Sequence, residues 1–421
     1  MEALSSPEAI RREVERALVS ERVDLTSESG RARAERLIDE TLAGLQAAEL
    51  AGPEGSRDSR LAELGRELRD DLIGLGAIAE AMLADPEAQE WMINGPRRIF
   101  RDSGERIERV TGIAFADDRQ LRAFLERLLE QVEGKRLDRI TPRIEARLPG
   151  GSRLTAAIPP ISSNGHPICS IRRFRLGASS LAELEQLGFL SGSAADFLSA
   201  CVRTGRNIVV CGRVSSGKTT LLNALGREIP AQERVVVCES SAELQLPRLL
   251  ANCIGYEARP GSVDGLPAVG LEELVGDALR MNPDRIIVGE CRGAETMALL
   301  WSLATGHAGM TSIHGESAEH ALKNLIRFAL TSGARIEAAE ALDWVSEVEV
   351  VVHCDRPRNP PGSEPGFRPR QIDEIVELSG AEGGRPTLNP LFEGEGRSLA
   401  WLGVAPRFAA ELGQAGFEPL A

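Results

Sequence analysis

The stretch Val209–Leu225, VVCGRVSSGKTTLLNAL, predicts a buried strand, a tight loop and a helix in direct succession. Within it Gly212 is followed by four residues and then by Gly217-Lys218-Thr219, which is the spacing of a phosphate-binding loop. The β-rich run before the loop and the Leu-rich segment after it supply the structural context that this spacing requires. An ordinary Gly/Ser turn between a core strand and a core helix is the alternative, and this context disfavours it.

Phosphate groups carry several negative charges, and the loop offers them donors that already belong to the backbone. Consecutive loop N–H groups and the positive end of the following helix would face one anion together. Lys218 would hold the β- and γ-phosphates, and the Thr219 hydroxyl would bind Mg²⁺. The residues predicted to bind the nucleotide are Gly212, Val214, Ser215, Ser216, Gly217, Lys218, Thr219 and Thr220.

The composition is that of a multidomain globular protein. With 421 residues, of which 42% are hydrophobic and 27% charged, the chain can bury two or three cores. We find no apolar run near the length of a bilayer span, and the start MEALSSPEAIRREVE is too polar for a secretory signal, so we expect a cytoplasmic protein. The net charge of −14 argues against a large nucleic-acid footprint, and no specific nucleic-acid partner is expected.

The seven cysteines include no C-x-x-C pair and fit neither a disulfide framework nor a zinc site, which indicates a reducing compartment. Cys211, Cys238 and Cys291 fall at the ends of predicted strands beside the phosphate loop. A redox-sensing role is one interpretation of these three residues. We favour the other, in which they are small buried hydrophobic side chains.

Three amphipathic segments open the chain and predict a small helical bundle over residues 1–84. The first begins at the cap Ser6-Pro7, the second runs over about 31–50, and the third over about 59–83. Charged residues cover the faces that are not apolar, so we expect each helix to pack on one side only.

Short apolar runs split by turn residues predict an α+β domain over residues 85–178. Arg147–Leu154 is typical of a β-hairpin with Gly150-Gly151 at its turn. Arginines, which suit phosphate recognition, crowd this region, although a solvated, salt-bridged surface is the alternative. They are Arg143, Arg147, Arg153, Arg172 and Arg173.

Residues 179–380 predict an α/β nucleotide-binding core, because β-rich runs alternate there with helical segments. The runs are Ile208–Cys211, Val235–Cys238, Ile286–Val288 and Thr311–Ile313. Ligands of such sheets bind beyond the carboxyl ends of the strands, so the residues that follow each run are the candidate site residues. From about residue 381 to 421 the chain is punctuated by Gly and Pro, and we predict a C-terminal tail without chemistry.

Acidic and histidine side chains follow these runs. Glu290 is the candidate general base, since a carboxylate near Mg²⁺ can orient the attacking water; alternatively it only holds water around the metal. Glu239 and Glu243 either reach the shell of the metal, with Glu239 contacting it through water, or cap the segment that follows. His314, with His307 seven residues earlier, predicts a paired sensor of the γ-phosphate.

Seven motifs together carry a family resemblance. They are the phosphate loop, DPEAQEWMINGP (85–96), EARLPGGSRLTAAIPP (145–160), SIRRF (170–174), ESSAELQL (239–246), ALRMNPDRIIVGECRGAE (278–295) and TGHAGMTSIHGES (305–317). In these segments the chain resembles the Tad pilus-assembly ATPases, the CpaF/TadA family, within the wider type II/type IV secretion ATPases. The resemblance covers about residues 60–392.

This resemblance implies a homohexamer at the cytoplasmic face of the inner membrane, built from a RecA-like P-loop ATPase domain and a preceding α+β, PAS-like domain that faces the nucleotide. ATP and Mg²⁺ would bind between the domains, and hydrolysis would move an inner-membrane platform protein that adds or extracts pilin subunits. By position it implies catalytic roles for Lys218, Glu239, Glu243, Glu290 and His314, and phosphate contacts for Arg147, Arg153, Arg172, Arg173 and His307.

Two departures from the family pattern leave alternatives open. Ser240 stands where an aspartate is usual, which removes one carboxylate near the metal and predicts slow hydrolysis. The segment between His307 and His314 is one residue shorter than the subfamily pattern. A nucleotide-gated scaffold or regulatory paralogue with weak hydrolysis is therefore one alternative, and a conjugation-type substrate-transfer ATPase is another.

Overall fold

The computed structural model describes most of the chain from residue 87 onward and separate parts before it. The described residues are 7–21, 28–47, 62, 64, 65, 68, 82, 85, 87–104, 106–130, 132, 134–149, 151–173, 180–259, 261, 267–356, 370–395 and 398–417. The chain divides into two compact units, Met1–Arg175 and Leu176–Ala421. Among the described residues no helix has both the length and the apolar character needed to cross a bilayer.

Two packed helices open the first unit, α1 (Pro7–Ser20) and α2 (Glu28–Ala47). The predicted apolar stripes form their contact, where Val14 and Ile38 are completely buried together with Ala34. The third predicted segment of the bundle lies largely outside the described residues, and the bundle over 1–84 as a whole stays a prediction.

A six-stranded antiparallel sheet forms the rest of the first unit, in the order β3-β2-β1-β6-β5-β4. Its core contains Trp91, Phe124 and Leu154, and α3 covers it with its leucine-rich face. The predicted hairpin is confirmed, since β4 and β5 pair with Arg147 opposite Arg153. The elements are β1 (Glu90–Ile93), β2 (Ile99–Asp102), β3 (Ile107–Arg109), α3 (Asp118–Glu130), β4 (Arg143–Arg147), β5 (Arg153–Ala157) and β6 (Ile168–Arg172).

The second unit contains the predicted α/β core, a sheet of nine strands in the order β15-β14-β13-β12-β7-β11-β10-β8-β9. The six strands from β12 to β9 in that order run parallel, and helices cover apolar residues on both faces. All four predicted runs are strands, which confirms the α/β fold class. The parallel strands are β7 (Ile208–Gly212), β8 (Val235–Glu239), β9 (Cys253–Glu257), β10 (Arg285–Cys291), β11 (Ala308–His314) and β12 (Val350–Asp355).

Most of the helices of this unit follow the alternation that the sequence predicts. The segment before β7 forms two helices, because Ser180 and Ser191 each accept a backbone N–H and cap a separate helix. The helices are α4 (Leu181–Gln186), α5 (Gly192–Arg203), α6 (Lys218–Gly226), α7 (Leu246–Leu249), α8 (Leu271–Ala278), α9 (Glu295–Ala304), α10 (Ala318–Thr331), α11 (Ala338–Val345) and α12 (Ala409–Gln414).

The prediction of a C-terminal tail from residue 381 is wrong. Three antiparallel strands extend the sheet beyond β12: β13 (Gln371–Glu382), β14 (Arg385–Glu395) and β15 (Ser398–Trp401). The carboxylate of Glu377, which is completely buried, accepts hydrogen bonds from the backbone N–H and Nε of Arg407 and from Nδ2 of Asn389. Aromatic packing of Phe392 and Trp401 at 4.9 Å then joins these strands to the core.

The cysteines are free thiols, and six of the seven are buried. Burial raises the pKa of Cys238 and Cys291 to about 12 and that of Cys211 well above the ordinary value for a thiol. Because the thiolate is the reactive form, these residues behave as small hydrophobic side chains, as favoured above.

Candidate functional site

The phosphate-binding loop takes the geometry that its glycines permit. Gly212 and Gly217 have φ values of 151° and 105°, in the region that favours glycine. A Cβ on Gly212 would lie 2.2 Å from the carbonyl oxygen of Cys354, and one on Gly217 would lie 2.9 Å from the ring of Phe189. Ser215 also has a positive φ, of 61°. The loop between β7 and α6 is therefore packed closely against the backbone of Cys354 on β12 and the ring of Phe189.

Lys218 begins α6, and its side chain turns back into the loop. The ammonium group donates to the carbonyl oxygens of Gly212 at 3.1 Å and Arg213 at 3.0 Å. Burial lowers the pKa of Lys218, while the charge of Glu290 acts in the opposite direction. The ammonium therefore lies in a partly desolvated position, where an oxyanion would be bound more strongly than in water.

Glu290 and His314, predicted from the ends of β10 and β11, lie in contact. His314 Nε2 is 2.9 Å from Glu290 Oε1, and His314 Nδ1 is 3.4 Å from Lys218 Nζ. Since the ammonium can only donate, His314 accepts at Nδ1, and its Nε2 lies at ion-pair distance from the carboxylate. The three predicted residues therefore form one chain of polar contacts at the carboxyl ends of the strands.

Two polar side chains that the sequence reasoning missed hold these ends in place. Ser312 Oγ donates to the carbonyl of Gly289 at 2.7 Å, next to a shift in the β10–β11 register that follows Val288. Asn324 on α10 donates through Nδ2 to the carbonyl of His314 at 2.8 Å. Both roles depend on contacts between elements distant in sequence, so no local motif marks them.

Glu239 follows the capping alternative. It is 95% buried, and its Oε1 accepts the N–H groups of Glu243 and Leu244 at 2.9 and 3.0 Å. Its Cγ would lie 2.8 Å from a Cβ on Gly289, so the carboxylate packs tightly against β10. Burial raises the pKa of Glu239 to about 7, although the two backbone donors oppose this change. Glu243 is half-buried beside it.

The raised pKa makes folding stability dependent on pH. Between about 4.5 and 7 the folded state holds a proton that the unfolded state has lost, so stability falls as pH rises, by about 3 kcal/mol in all. We expect Glu239→Gln to remove this fall, because its amide oxygen can still accept both N–H groups. Urea unfolding of both proteins at pH 4.5 to 8 measures the free energy of unfolding. If it changes with pH in the same way in both proteins, the raised pKa of Glu239 is contradicted.

The other loop residues surround this cluster. Ser216 is 1% exposed, and among the described residues its Oγ has no hydrogen-bond partner. Thr219 and Thr220 are half-buried in the first turn of α6, whereas the side chain of Val214 is 69% exposed. An orphan hydroxyl, a glycine-lined loop and a buried ammonium fit a phosphate chain. Mg²⁺ keeps most of its waters and needs few protein ligands, which the Thr219 hydroxyl and the Glu290 carboxylate can supply.

His307 does not join His314. The two histidines lie at opposite ends of β11, about 20 Å apart for a seven-residue strand. His307 Nδ1 is instead 3.2 Å from both the carbonyl of Ser302 and the hydroxyl of Thr305. The predicted paired sensor is therefore wrong, because both histidines flank a strand that is fully extended between them.

Three of the four predicted arginines form a row across the first unit. Arg147 is directly opposite Arg153, and Arg153 is directly opposite Arg172, so all three occupy one face of the sheet. Guanidinium groups on one face of a sheet are a suitable arrangement for contacts with phosphate oxygens. Arg173 belongs to the opposite face, where it donates to the backbone carbonyl of Asp85.

Comparison with known proteins places this fold and site in a family. A sequence model described as "Type II/IV secretion system protein" matches residues 75–380. The chain is 33% identical over 325 residues to a Mycobacterium tuberculosis protein whose name proposes a role in conjugal transfer, covering 76% of this chain and 88% of that protein. It is 30% identical over 305 residues to Agrobacterium tumefaciens VirB11, covering 64% and 85% respectively.

A solved structure supports the fold. The X-ray structure of the Yersinia pseudotuberculosis ATPase DotB superposes with a TM-score of 0.52 at 16% identity, covering 72% of this chain and 78% of that one. The family match covers most of the chain, including the whole parallel sheet with its phosphate-binding loop. The chain therefore belongs to the type II/IV secretion system protein family.

Proposed function

We propose that the chain is a cytoplasmic, hexameric, Mg²⁺-dependent ATPase that powers a Tad-type pilus or a related secretion system through an inner-membrane platform protein. The observation that carries the proposal is the chain of polar contacts from Lys218 through His314 to Glu290, beside the glycine-containing loop predicted to bind phosphate. Family membership and the motifs described above support the cellular role.

The side chains of the site would act in a definite order. Lys218 would exchange the carbonyl oxygens of Gly212 and Arg213 for phosphate oxygens, since all three groups compete for the same ammonium. Bound ATP with Mg²⁺ supplies a γ-phosphoryl group that can pass to water. Glu290 would orient that water and accept its proton, and His314 would hold the carboxylate in position until the water arrives.

The row of Arg147, Arg153 and Arg172 would neutralise phosphate charge, as the resemblance implies. Guanidinium groups arranged in such a row are also compatible with polyanions other than a nucleotide. Arg173 is the weakest of the four candidates, because its guanidinium already donates to a backbone carbonyl.

One observation favours a second candidate, a nucleotide-gated scaffold with weak hydrolysis. The carboxylate of Glu239 caps the segment that begins at Glu243, and Ser240 carries no charge. Of these acidic-motif positions neither supplies a free carboxylate to the metal, which leaves Glu290, in contact with His314, for that role. A conjugation-type role is also supported, by the name of the Mycobacterium tuberculosis relative.

Turnover and assembly of the purified full-length chain test the proposal. We expect ATP hydrolysis that requires Mg²⁺. In size-exclusion chromatography this activity should elute at the size of a hexamer. Nucleotide binding without appreciable turnover would favour the scaffold. Deletion of the gene should abolish piliation or protein secretion; loss of DNA transfer alone would favour the conjugation-type role.

A further inference from the structure

A second site lies at the opposite end of the parallel sheet. A cavity of about 850 Å³ opens beside the amino ends of β7, β10 and β11, next to Asn207, Arg285 and Ala308. The phosphate-binding loop follows the carboxyl end of β7, so the length of the strands separates the two sites. The cavity is within the size range of pockets that hold ligands.

The positive charges that line this cavity are already compensated. Each of the four lining arginines pairs with its own carboxylate, so none of them leaves a net positive charge for an anionic ligand. The pairs are Arg203 with Glu228, Arg206 with Glu349, Arg285 with Glu233, and Arg407 with Glu377.

Three lining carboxylates are not compensated in this way. Asp284, Glu347 and Glu411 are exposed and form no ion pair with any cation of the described residues. A cluster of uncompensated negative charge attracts a cation. The described residues contain no group of three His, Cys, Asp or Glu side chains that could hold a metal ion, so an organic cation suits this surface better.

His307 adds an acceptor. Its Nδ1 is 3.2 Å from the carbonyl of Ser302, and a carbonyl only accepts, so Nδ1 carries the proton. In the neutral tautomer that fits this contact, Nε2 is unprotonated, and it has no partner among the described residues. An ammonium or guanidinium group can donate to this nitrogen.

Two arginine nitrogens add unsatisfied donors to the cavity. Arg285 is 98% buried; its Nε and Nη2 donate to Glu233, whereas Nη1 donates to none of the described residues. Arg206 Nε is buried and likewise has no partner in the part of the chain that the structure describes. Carbonyl oxygens of a ligand could accept from both nitrogens.

We propose that this cavity binds a short basic segment of a protein partner. Lysine or arginine side chains of the segment contact Asp284, Glu347, Glu411 and Nε2 of His307. Its main-chain carbonyls accept from Arg285 and Arg206. A polypeptide combines cationic donors with regularly spaced carbonyl acceptors, which is the combination that the cavity walls require. The proposal does not depend on nucleotide hydrolysis.

Fluorescence anisotropy with the full-length chain and a labelled peptide, Gly-Lys-Arg-Gly-Arg-Lys-Gly, tests the proposal at 150 mM KCl, where weak surface attraction is screened. We expect saturable binding, and at least a tenfold loss of affinity in the double variant Glu347→Lys/Glu411→Lys. The matched control is Glu272→Lys/Glu273→Lys, which makes the same charge change at exposed positions of α8 outside the cavity. It should bind the peptide within about twofold of the unmodified chain.

Circular dichroism confirms that each variant is folded, and Glu411→Gln provides a milder change if charge reversal disturbs α12. Equal losses in the cavity and control variants would show general electrostatic attraction and overturn the proposal. Absence of peptide binding to the unmodified chain would overturn it too. So would binding of spermine at the same affinity with full displacement of the peptide, because the ligand would then be a small polyamine.

Discussion

Lys218→Ala is expected to reduce ATP turnover by at least about 100-fold, the scale typical of removing one preorganised charge partner of a transition state. The ammonium is the buried cation of the loop, and alanine leaves the carbonyls of Gly212 and Arg213 without its hydrogen bonds. Nucleotide affinity should fall as well, because phosphate loses its charge-assisted contact. Phosphate release and binding of a fluorescent ATP analogue measure the two effects.

Lys323→Ala is the matched control for this variant. Lys323 is 55% exposed and pairs with Glu319 on the surface of α10, so its removal should leave turnover unchanged. Wild-type turnover in Lys218→Ala would refute the assignment of the phosphate site, because Lys218 is the buried cation of the loop among the residues that the structure describes.

Glu290→Gln is expected to separate binding from chemistry. The amide keeps the size of the carboxylate and its contact with His314, so nucleotide affinity should stay within about threefold. The amide cannot accept a proton from water, however, and turnover should fall by about 10²–10⁴-fold, the usual contribution of a general base. Isothermal titration gives the affinity, and single-turnover hydrolysis gives the rate.

Glu319→Gln, a change of the same kind at an exposed position of α10, should leave both quantities as they are. If Glu290→Gln hydrolyses ATP at the wild-type rate, Glu290 does not accept the proton. A parallel loss of affinity and turnover would instead assign it to holding the metal.

The parallel sheet could be predicted because its strands are continuous apolar runs, as burial on both faces requires. β9 was missed because its residues are partly exposed and include Gly255, which weakens the pattern. β14 was missed because Pro386, Pro390 and Gly394 suggest a loop. Its partner β13 shifts register between Ile375 and Val376, opposite Pro390, and such an irregularity tolerates a residue that lacks an N–H group.

The site residues that lie at the carboxyl ends of the strands could be predicted from the sequence. Glu290 and His314 follow neighbouring strands, and they are in contact, although their catalytic roles stay predictions. His307 and His314 are close in sequence, but the extended strand β11 separates them in space by its full length. Glu239 shows a second limit of prediction from sequence. It lies at the end of β8 as expected, but the backbone N–H groups of Glu243 and Leu244 donate to its carboxylate.

The aromatic cluster around Trp401 gives the protein an optical reporter. Among four tryptophans, Trp91 is 3% exposed in the core of the first unit, while Trp401 packs among Phe197, Phe392 and Phe417 in the second. The indole N–H of each is buried without a partner among the described residues. When water reaches these two indole rings, their fluorescence emission should therefore shift to longer wavelength. Each unit thus has its own fluorescence signal for the unfolding of its core.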